Sequence, residues 1–161
     1  MSLSPGLTLA ASASIVGSAA AAGAIAALSG CAIPAVLGAG APTEVMLRQW
    51  YIIFNRGKAI PLTSLISALS YGAVSYGTWS HGLPQWKGFA LSGLFAAASI
   101  PFTIAFLMPT NNALEAAAHS EVRTLSDDKV RGLITKWMKI NNIRIFIPLS
   151  GAILGLWTLL G

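Results

Sequence analysis

The sequence predicts an all-α protein, an integral membrane four-helix transmembrane bundle that forms a single domain over residues 1–161. Of its residues, 55% are hydrophobic and only 9% are charged, whereas an ordinary soluble domain carries about 25% charged residues. The same figures exclude a disordered chain, which needs low hydrophobicity and high net charge. Long stretches without a charged residue separate short segments that hold almost all the charge. We therefore expect the chain to bury its apolar surface in a lipid bilayer.

Four charge-free stretches locate the predicted spans. A transmembrane helix needs roughly 20 apolar residues, with about 17 as the practical minimum. Helices are expected rather than barrel strands because the apolar residues do not alternate, and because helices satisfy their backbone hydrogen bonds internally. The predicted spans are residues 13–38, 60–80, 88–108 and 143–160, and residues 109–142 are predicted to form a cytosolic amphipathic segment.

The first apolar stretch is interpreted as a retained span and not as a signal peptide. It lacks a positively charged n-region and is far longer than a signal h-region. Small residues recur in it at four-residue spacing, as in Gly17 and Ala21, which allows close helix packing.

Prolines divide the predicted spans. Pro61 suits the first turn of the second helix. Pro34, Pro101 and Pro148 are expected to bend the other three helices, since a proline inside a helix removes one backbone hydrogen bond.

The positive charge predicts the orientation. Nine basic residues fall in the 39–58 loop and the 109–144 segment, which lie on the same side in a four-span topology, whereas Lys87 lies on the other side. This asymmetry predicts that both basic segments are cytosolic and both termini extracytoplasmic. The net charge of +5 therefore reflects membrane topology and contact with lipid, and no nucleic-acid partner is expected. The nine are Arg48, Arg56, Lys58, Arg123, Lys129, Arg131, Lys136, Lys139 and Arg144.

Metal-binding side chains are scarce. Cys31 is the single cysteine, so no intramolecular disulfide or thiolate cluster can form. His81 and His119 are the two histidines, which argues against a dedicated zinc site. No metal ligand set is predicted.

Polar residues on the predicted cytosolic side form three groups. After Pro109, helical spacing places three side chains on one face with a fourth beside them: Asn111, Glu115 and His119, with Asn112 adjacent. Entering the last span, a second face carries Trp137, Asn141 and Arg144. A third, weaker group before the second span consists of Gln49, Trp50, Asn55, Arg56 and Gly57.

Each group also has a structural interpretation. Trp50, Trp137 and the basic residues suit interfacial anchors, because Trp, Lys and Arg favour the headgroup region. The asparagines after Pro109 suit helix capping, and His119 suits a solvated loop. The polar residues that enter the last span are harder to explain in this way, because such groups usually face a bundle interior or a water-filled cavity.

The order of these residues resembles the small four-span anthrone oxygenase family. The resemblance covers essentially the whole chain, and its most specific parts are the Asn-Asn and Trp–Asn–Arg blocks. The matching blocks are Pro34, Gln49-Trp50, Arg56-Gly57, Pro109-Thr-Asn-Asn-Ala-Leu114 and Trp137-x-x-x-Asn141-x-x-Arg144.

The resemblance implies oxidation of an anthrone to an anthraquinone in aromatic polyketide biosynthesis. O₂ is then the co-substrate, no metal, flavin or haem takes part, and the partner is a lipophilic aromatic polyketide. A fungal chain of this kind is expected in the endoplasmic reticulum or another endomembrane, and a second copy of the chain is kept as a candidate partner.

A hypothesis for the site follows from this chemistry. An anthrone must lose a proton, its enolate oxygen must be stabilised, and its rings must be held. His119 is the preferred base, with Glu115 as the alternative. The residues assigned to oxyanion stabilisation are Arg144 and Arg56, and those assigned to hydrogen bonding with the substrate are Asn111, Asn112 and Asn141. Trp50 and Trp137 are assigned to ring stacking, and Gln49 is expected among the substrate-binding residues.

Three alternatives remain open at this point. A non-enzymatic membrane assembly or interaction protein would use the basic segment from Arg123 to Lys139 to bind anionic lipid. A transporter is less favoured because no internal repeat is evident. A haem held by His81 or His119 would replace the cofactor-free chemistry.

Overall fold

The computed structural model describes residues 3–120 and 125–161, and every regular element in those ranges is helical. The predicted all-α class is thus confirmed, and Arg123 lies outside the described residues. Four long helical stretches follow one another through short connections, so neighbouring stretches run antiparallel. The stretches are α1 (Pro5–Ala27) with the π-helical turn π1 (Leu28–Ala32) and α2 (Ile33–Gly38); α3 (Thr43–Gly57) with α4 (Ala59–Ser80); α5 (Trp86–Phe102) with the π-helical turn π2 (Thr103–Leu107) and α6 (Met108–His119); and α7 (Asp127–Arg144) with α8 (Phe146–Leu160).

Three of the four stretches are long and apolar enough to cross a membrane, by length and composition: Pro5–Gly38, Trp86–His119 and Asp127–Leu160. Helix α4 carries no charged residue, but serine, threonine and tyrosine interrupt its apolar side chains and it is not one of the three. The structure therefore supports membrane association through three candidate spans, one fewer than the sequence analysis predicted.

The helices extend beyond the predicted spans. Helix α1 begins at Pro5, where the Oγ of Ser4 accepts a hydrogen bond from the Leu7 N–H at 3.4 Å. The predicted cytosolic segment 109–142 is not a separate layer, because α6 continues from α5 through π2, and α7 leads to α8 with a break at Ile145. Charged residues end an apolar run without ending the helix, so the charge pattern does not locate the helix ends.

Helices α1, α4, α5 and α8 pack around one another and form what we call the apolar half. Its core holds Tyr71, Phe89 and small side chains such as Ala11. Glycines bring the helices close together: a Cβ added at Gly151 would lie 2.9 Å from the carbonyl oxygen of Ser92. Large apolar side chains remain exposed around this half, as expected for a lipid-facing surface.

Helices α2, α3, α6 and α7 form the second part of the molecule, which we call the cap half. Its core is larger and contains two tryptophans, Trp50 and Trp137, together with aliphatic side chains such as Leu114 and Ile134. Of the lysines and arginines in the described ranges, Lys87 lies in the first turn of α5. The others belong to the cap half or to the adjoining break at Lys58.

Each long stretch is interrupted once between the two halves, and a proline accounts for each interruption. Proline has no N–H and its ring collides with the carbonyl four residues earlier, so the helix widens or breaks there. In each stretch, the residue four positions before a proline lies at the interruption. Two of these residues lie in π1 and π2, and the other two lie immediately before the breaks at Lys58 and Ile145. The pairs are Gly30 with Pro34, Gly57 with Pro61, Ala105 with Pro109 and Arg144 with Pro148. Pro34 and Pro148, which were expected to bend their helices, each follow such an interruption, whereas Pro101 lies inside α5.

Candidate active site

A cavity of ≈ 280 Å³ opens where the four interruptions meet. Its volume is close to the lower end of the range of about 300–1,000 Å³ that is typical of small-molecule sites. The walls combine apolar side chains with a few polar groups that converge on one space, as in most ligand pockets. The lining residues are Leu28, Phe54, Gly57, Lys58, Ile60, Pro61, Thr103, Leu107, Met108, Asn111, Glu115, Trp137, Asn141 and Arg144.

Arg144 supplies a buried positive charge to this cavity. Only 6% of the residue is exposed. Its Nη1 donates a hydrogen bond to the Oγ1 of Thr103 at 3.3 Å, and its Nε has no hydrogen-bond partner among the described residues. The Thr103 hydroxyl donates in turn to the carbonyl oxygen of Ser99 at 2.7 Å. The guanidinium is therefore held by a neutral acceptor and keeps donors available for a ligand.

Two asparagines are fixed by hydrogen bonds at the cavity wall. The Trp137 Nε1–H donates to the Oδ1 of Asn111 at 2.8 Å. Because an indole N–H only donates, this contact fixes the Asn111 oxygen as acceptor and leaves its NH₂ as the group available to a ligand. The Nδ2 of Asn141 donates to the Oγ of Ser29 at 2.7 Å, and Ser29 lies in π1.

An ion pair stands at the more exposed edge of the cavity. The Nζ of Lys58 lies 3.5 Å from the Oε1 of Glu115, with the side chains 52% and 35% exposed. The same ammonium lies 4.7 Å from the centre of the Phe54 ring. The break between α3 and α4 thus places a lysine beside the carboxylate that α6 contributes.

Trp50 supports the cavity without lining it. The side chain is fully buried, stacks on Phe54 with ring centres 5.0 Å apart, and meets Trp137 edge-on at 6.3 Å. Its Nε1 has no hydrogen-bond partner among the described residues. Trp50 therefore holds in place the rings of Phe54 and Trp137, which both line the cavity.

Five of the residues singled out from the sequence come together in the cavity: Asn111, Glu115, Trp137, Asn141 and Arg144. Four others are exposed and do not line it: Gln49, Arg56, Asn112 and His119. The buried residues of α3 are Met46, Leu47 and Trp50, so Gln49 and Arg56 point elsewhere. The Nδ1 of His119 lies 2.8 Å from the Glu115 carbonyl oxygen, and its ring meets Tyr51 edge-on at 4.8 Å.

Three residues at the site were not predicted: Lys58, Thr103 and Ser29. In the sequence, Lys58 served only to predict the orientation of the chain in the membrane. Thr103 and Ser29 lie inside apolar stretches, where the spacing of polar residues does not single them out. The available indication was the set of prolines, because π-helical turns produced by helix-breaking residues often occur at functional sites. In the described ranges, no group of three or more His, Cys, Asp or Glu side chains could hold a metal ion.

The arrangement suits a flat apolar molecule that acquires negative charge. Aromatic and aliphatic walls would contact its rings, Arg144 and the amide groups would hold oxygen atoms, and Glu115 would accept a proton. Preorganised donors of this kind stabilise developing charge strongly where water is excluded.

Several known proteins are similar in sequence to this chain. The sequence model of the family described as anthrone oxygenase matches residues 50–154. The chain is 37% identical over 127 residues to the monooxygenase hypC of Dothistroma septosporum, which covers 77% of this chain and 68% of that protein. It is 31% identical over 138 residues to the anthrone oxygenase AgnL2 of Paecilomyces divaricatus, covering 83% and 84% of the two chains. An anthrone oxygenase of Claviceps purpurea is 32% identical over 138 residues, covering 83% and 78%. No solved structure matches the chain.

Proposed function

The chain belongs to the anthrone oxygenase family, and we propose that it is a membrane enzyme that oxidises an anthrone to an anthraquinone in aromatic polyketide biosynthesis. The reaction converts the central CH₂ of the tricycle to C=O and consumes one O₂, with one oxygen atom entering the quinone and the other leaving as water. The observation that carries the proposal is the cavity that gathers Arg144, Asn111 and Glu115 around apolar walls.

The first step removes a proton from the central methylene. Loss of this proton makes the middle ring aromatic, so a carboxylate held against the ring is a sufficient base. We assign the step to Glu115, which lines the cavity, in place of His119, which is exposed outside it. General-base catalysis by a positioned side chain typically contributes 10²–10⁴-fold.

The second requirement is stabilisation of the enolate oxygen. Arg144 brings a positive charge to the cavity and offers a planar set of donors. The NH₂ of Asn111 is left free by the Trp137 contact, and Asn141 stands one helical turn before Arg144 on the same face. The two asparagines would orient the carbonyl and phenolic oxygens of the substrate, while Trp137 and Phe54 contact its rings.

Oxygen then reacts with the bound anion. The electron-rich enolate passes one electron to O₂, and the resulting radical and superoxide combine to form the new C–O bond. Protonation gives a hydroperoxide on the former methylene carbon. Removal of the second proton from that carbon, with cleavage of the O–O bond and loss of hydroxide, gives the quinone and, after protonation, water. We propose that no metal, flavin or haem takes part.

We further propose that α4 is a fourth span, which gives the bundle four crossings. Helix α4 is free of charged residues and exposes large apolar side chains, including Leu69 and Trp79. The cap half would then face the cytosol and both termini the opposite side, in agreement with the clustering of basic residues on the cap half. In a fungal cell the membrane would be that of the endoplasmic reticulum or another endomembrane, and a lipophilic anthrone would reach the cavity from the lipid.

The experiment is oxygen uptake and quinone formation by purified protein in a neutral detergent, with emodin anthrone as substrate. The spontaneous oxidation rate is subtracted, and each assay is repeated with a strong chelator. Chelator-insensitive turnover that disappears in Asn141→Ala supports the proposal. Turnover lost to the chelator would retain the oxygenase and overturn the metal-free mechanism, and no rate above background with several anthrones would overturn the function.

A further inference from the structure

We propose that the cavity binds its aromatic ligand as an anion, so that a hydroxylated tricycle is bound with one phenol ionised and Arg144 as its counter-ion. The identity of the ligand rests on the proposed function, but the preference for an anion rests on the charges around the cavity. The prediction concerns the bound substrate and product before and after turnover, in addition to the enolate that forms during the reaction.

The charges that face the cavity do not cancel. Its ionisable lining residues are Lys58 from the break after α3, Glu115 from α6 and Arg144 from α7. Lys58 and Glu115 pair with each other at 3.5 Å. The lining contributed by π1, π2 and α4 carries no charged side chain, so the cavity is left with one positive charge.

That charge has no carboxylate partner in the described parts of the chain. Arg144 is held by Thr103, whose own hydroxyl proton goes to the Ser99 carbonyl, so a lone pair and not a negative charge faces the guanidinium. A charge taken out of water is costly unless it is paired and hydrogen-bonded. With the Arg144 Nε–H unpartnered, an anion that enters the cavity would remove this cost and take up the free donor.

The surrounding walls select the kind of anion. A phosphate or a small carboxylate would leave the apolar wall formed by Leu28, Leu107 and Met108 in contact with nothing. A phenolate on an aromatic tricycle fills that wall with its rings and brings its charge to one edge. Its charge is spread over the ring system, so a single guanidinium is an adequate counter-ion.

Two consequences follow. The pKa of a phenol bound in the cavity should fall below its value in detergent alone, and the quinone product should be held more tightly as the pH rises through that pKa. Thr103 then acts as a positioning residue, because it sets the direction of the Arg144 guanidinium without contacting the ligand's charge.

The test uses emodin as the probe, because the absorption of a hydroxyanthraquinone moves to longer wavelength when a phenol ionises. The probe is titrated with pH in a neutral detergent, alone and with saturating wild-type protein, Arg144→Gln or the matched control Lys136→Gln, which alters an exposed charge on the same helix. We expect wild type and Lys136→Gln to lower the pKa of the bound phenol by about one unit or more, a tenfold change in ionisation.

Arg144→Gln should abolish the lowering. The proposal is overturned if wild type leaves the phenol pKa at its detergent value or raises it, or if Arg144→Gln lowers it as much as wild type does. If Arg144→Gln does not fold, the wild-type protein still decides the matter, because unsubstituted anthraquinone should bind with no pH dependence while emodin binds more tightly at higher pH. Equal pH dependence for the two compounds would contradict the proposal.

Thr103 is tested with a matched pair. Thr103→Ser keeps the hydroxyl and should lower the pKa of the bound phenol as much as wild type does, whereas Thr103→Val should lower it less. An equal decrease with the two variants would contradict the positioning role of Thr103. The two proposals fail in different ways. A lowered phenol pKa without oxygen uptake would overturn the proposed function and leave the anion site, whereas chelator-insensitive turnover without the lowered pKa would leave the function and overturn the anion site.

Discussion

The apolar half and the cap half bury polar groups in different ways. In the apolar half these groups are mainly hydroxyls, and several bond to helix carbonyls: the Tyr71 hydroxyl donates to the Gly151 carbonyl at 3.1 Å and the Ser92 hydroxyl to that of Gly88 at 2.8 Å. In the cap half the buried groups include an indole, two amides and a guanidinium that face a cavity. In the apolar half these hydroxyls are satisfied by carbonyl groups of the same helix or of a neighbouring one, whereas in the cap half donors are left for a ligand.

The difference indicates that one part of the bundle mainly stabilises the fold, whereas another part provides the candidate active site. Close packing at glycines and short hydroxyl side chains holds the helices of the apolar half together. The interruptions caused by prolines then widen the helices where the two halves meet, and this is where the cavity forms. Changes at the residues that line the cavity should therefore affect turnover, and changes at the close contacts of the apolar half should affect folding.

The largest effect is expected for the base. Glu115→Gln removes the carboxylate from the cavity and should lower enzyme-dependent quinone formation by about 10²–10⁴-fold. His119→Gln, on the same helix but outside the cavity, should keep most of the rate. Steady-state kinetics with emodin anthrone measure both variants, and the opposite ranking would return the role of base to His119.

A smaller loss is expected for the aromatic support. Trp137→Phe keeps an aromatic ring at this position but removes the N–H that donates to Asn111. A neutral hydrogen bond of this kind contributes about 0.5–1.5 kcal/mol. We expect kcat/KM to fall by up to roughly tenfold. Trp157→Phe, an exposed position in the apolar half, is the matched control and should be silent. Equal losses of kcat/KM in the two variants would contradict the proposal that turnover depends on the cavity and not on the exposed surface of the apolar half.

In the apolar half the expected effect is on stability. Gly151→Ala places a Cβ 2.9 Å from the Ser92 carbonyl oxygen, and backbone cannot yield cheaply, so the free energy of unfolding should fall by about 1–3 kcal/mol. Gly72→Ala, where a Cβ meets nothing within 4 Å, should not destabilise. Thermal unfolding followed by circular dichroism in detergent compares the two, and similar midpoints would mean that the helices do not approach closely there.

The smallest effect is a gain. Gly132 is exposed inside α7 and a Cβ there meets nothing within 4 Å. Gly132→Ala should stabilise the protein by up to ~1 kcal/mol through helix propensity alone, with turnover unchanged. A loss of turnover in Gly132→Ala would contradict the expectation that this exposed position of α7 takes no part in the reaction.

The sequence predicted part of the lining of the candidate cavity. The spacing of Trp137, Asn141 and Arg144 placed them on one helical face, and all three line the cavity. Spacing could not decide which side of α3 turns inward, so Gln49 and Arg56 were grouped with Trp50 although they are exposed. Periodicity defines a face, but packing against a second helix decides whether that face is buried.

The helical class was equally predictable from composition, whereas the interruptions were not. A proline weakens a helix at a known position, but whether the result is a π-helical turn, a break or a bend depends on the neighbouring helices. Ser29 and Thr103 could be assigned to the site only once π1 and π2 were seen beside Asn141 and Arg144.

The most direct test of the account is the rate of enzyme-dependent quinone formation in Arg144→Gln beside Lys136→Gln. Both variants remove one positive charge from α7, but only Arg144 lines the cavity. Arg144→Gln should lower this rate by about 10²–10³-fold, as expected when a donor to a developing oxyanion is removed. Lys136→Gln should keep the wild-type rate. Equal rates in the two folded variants would contradict the claim that the oxidation occurs in this cavity.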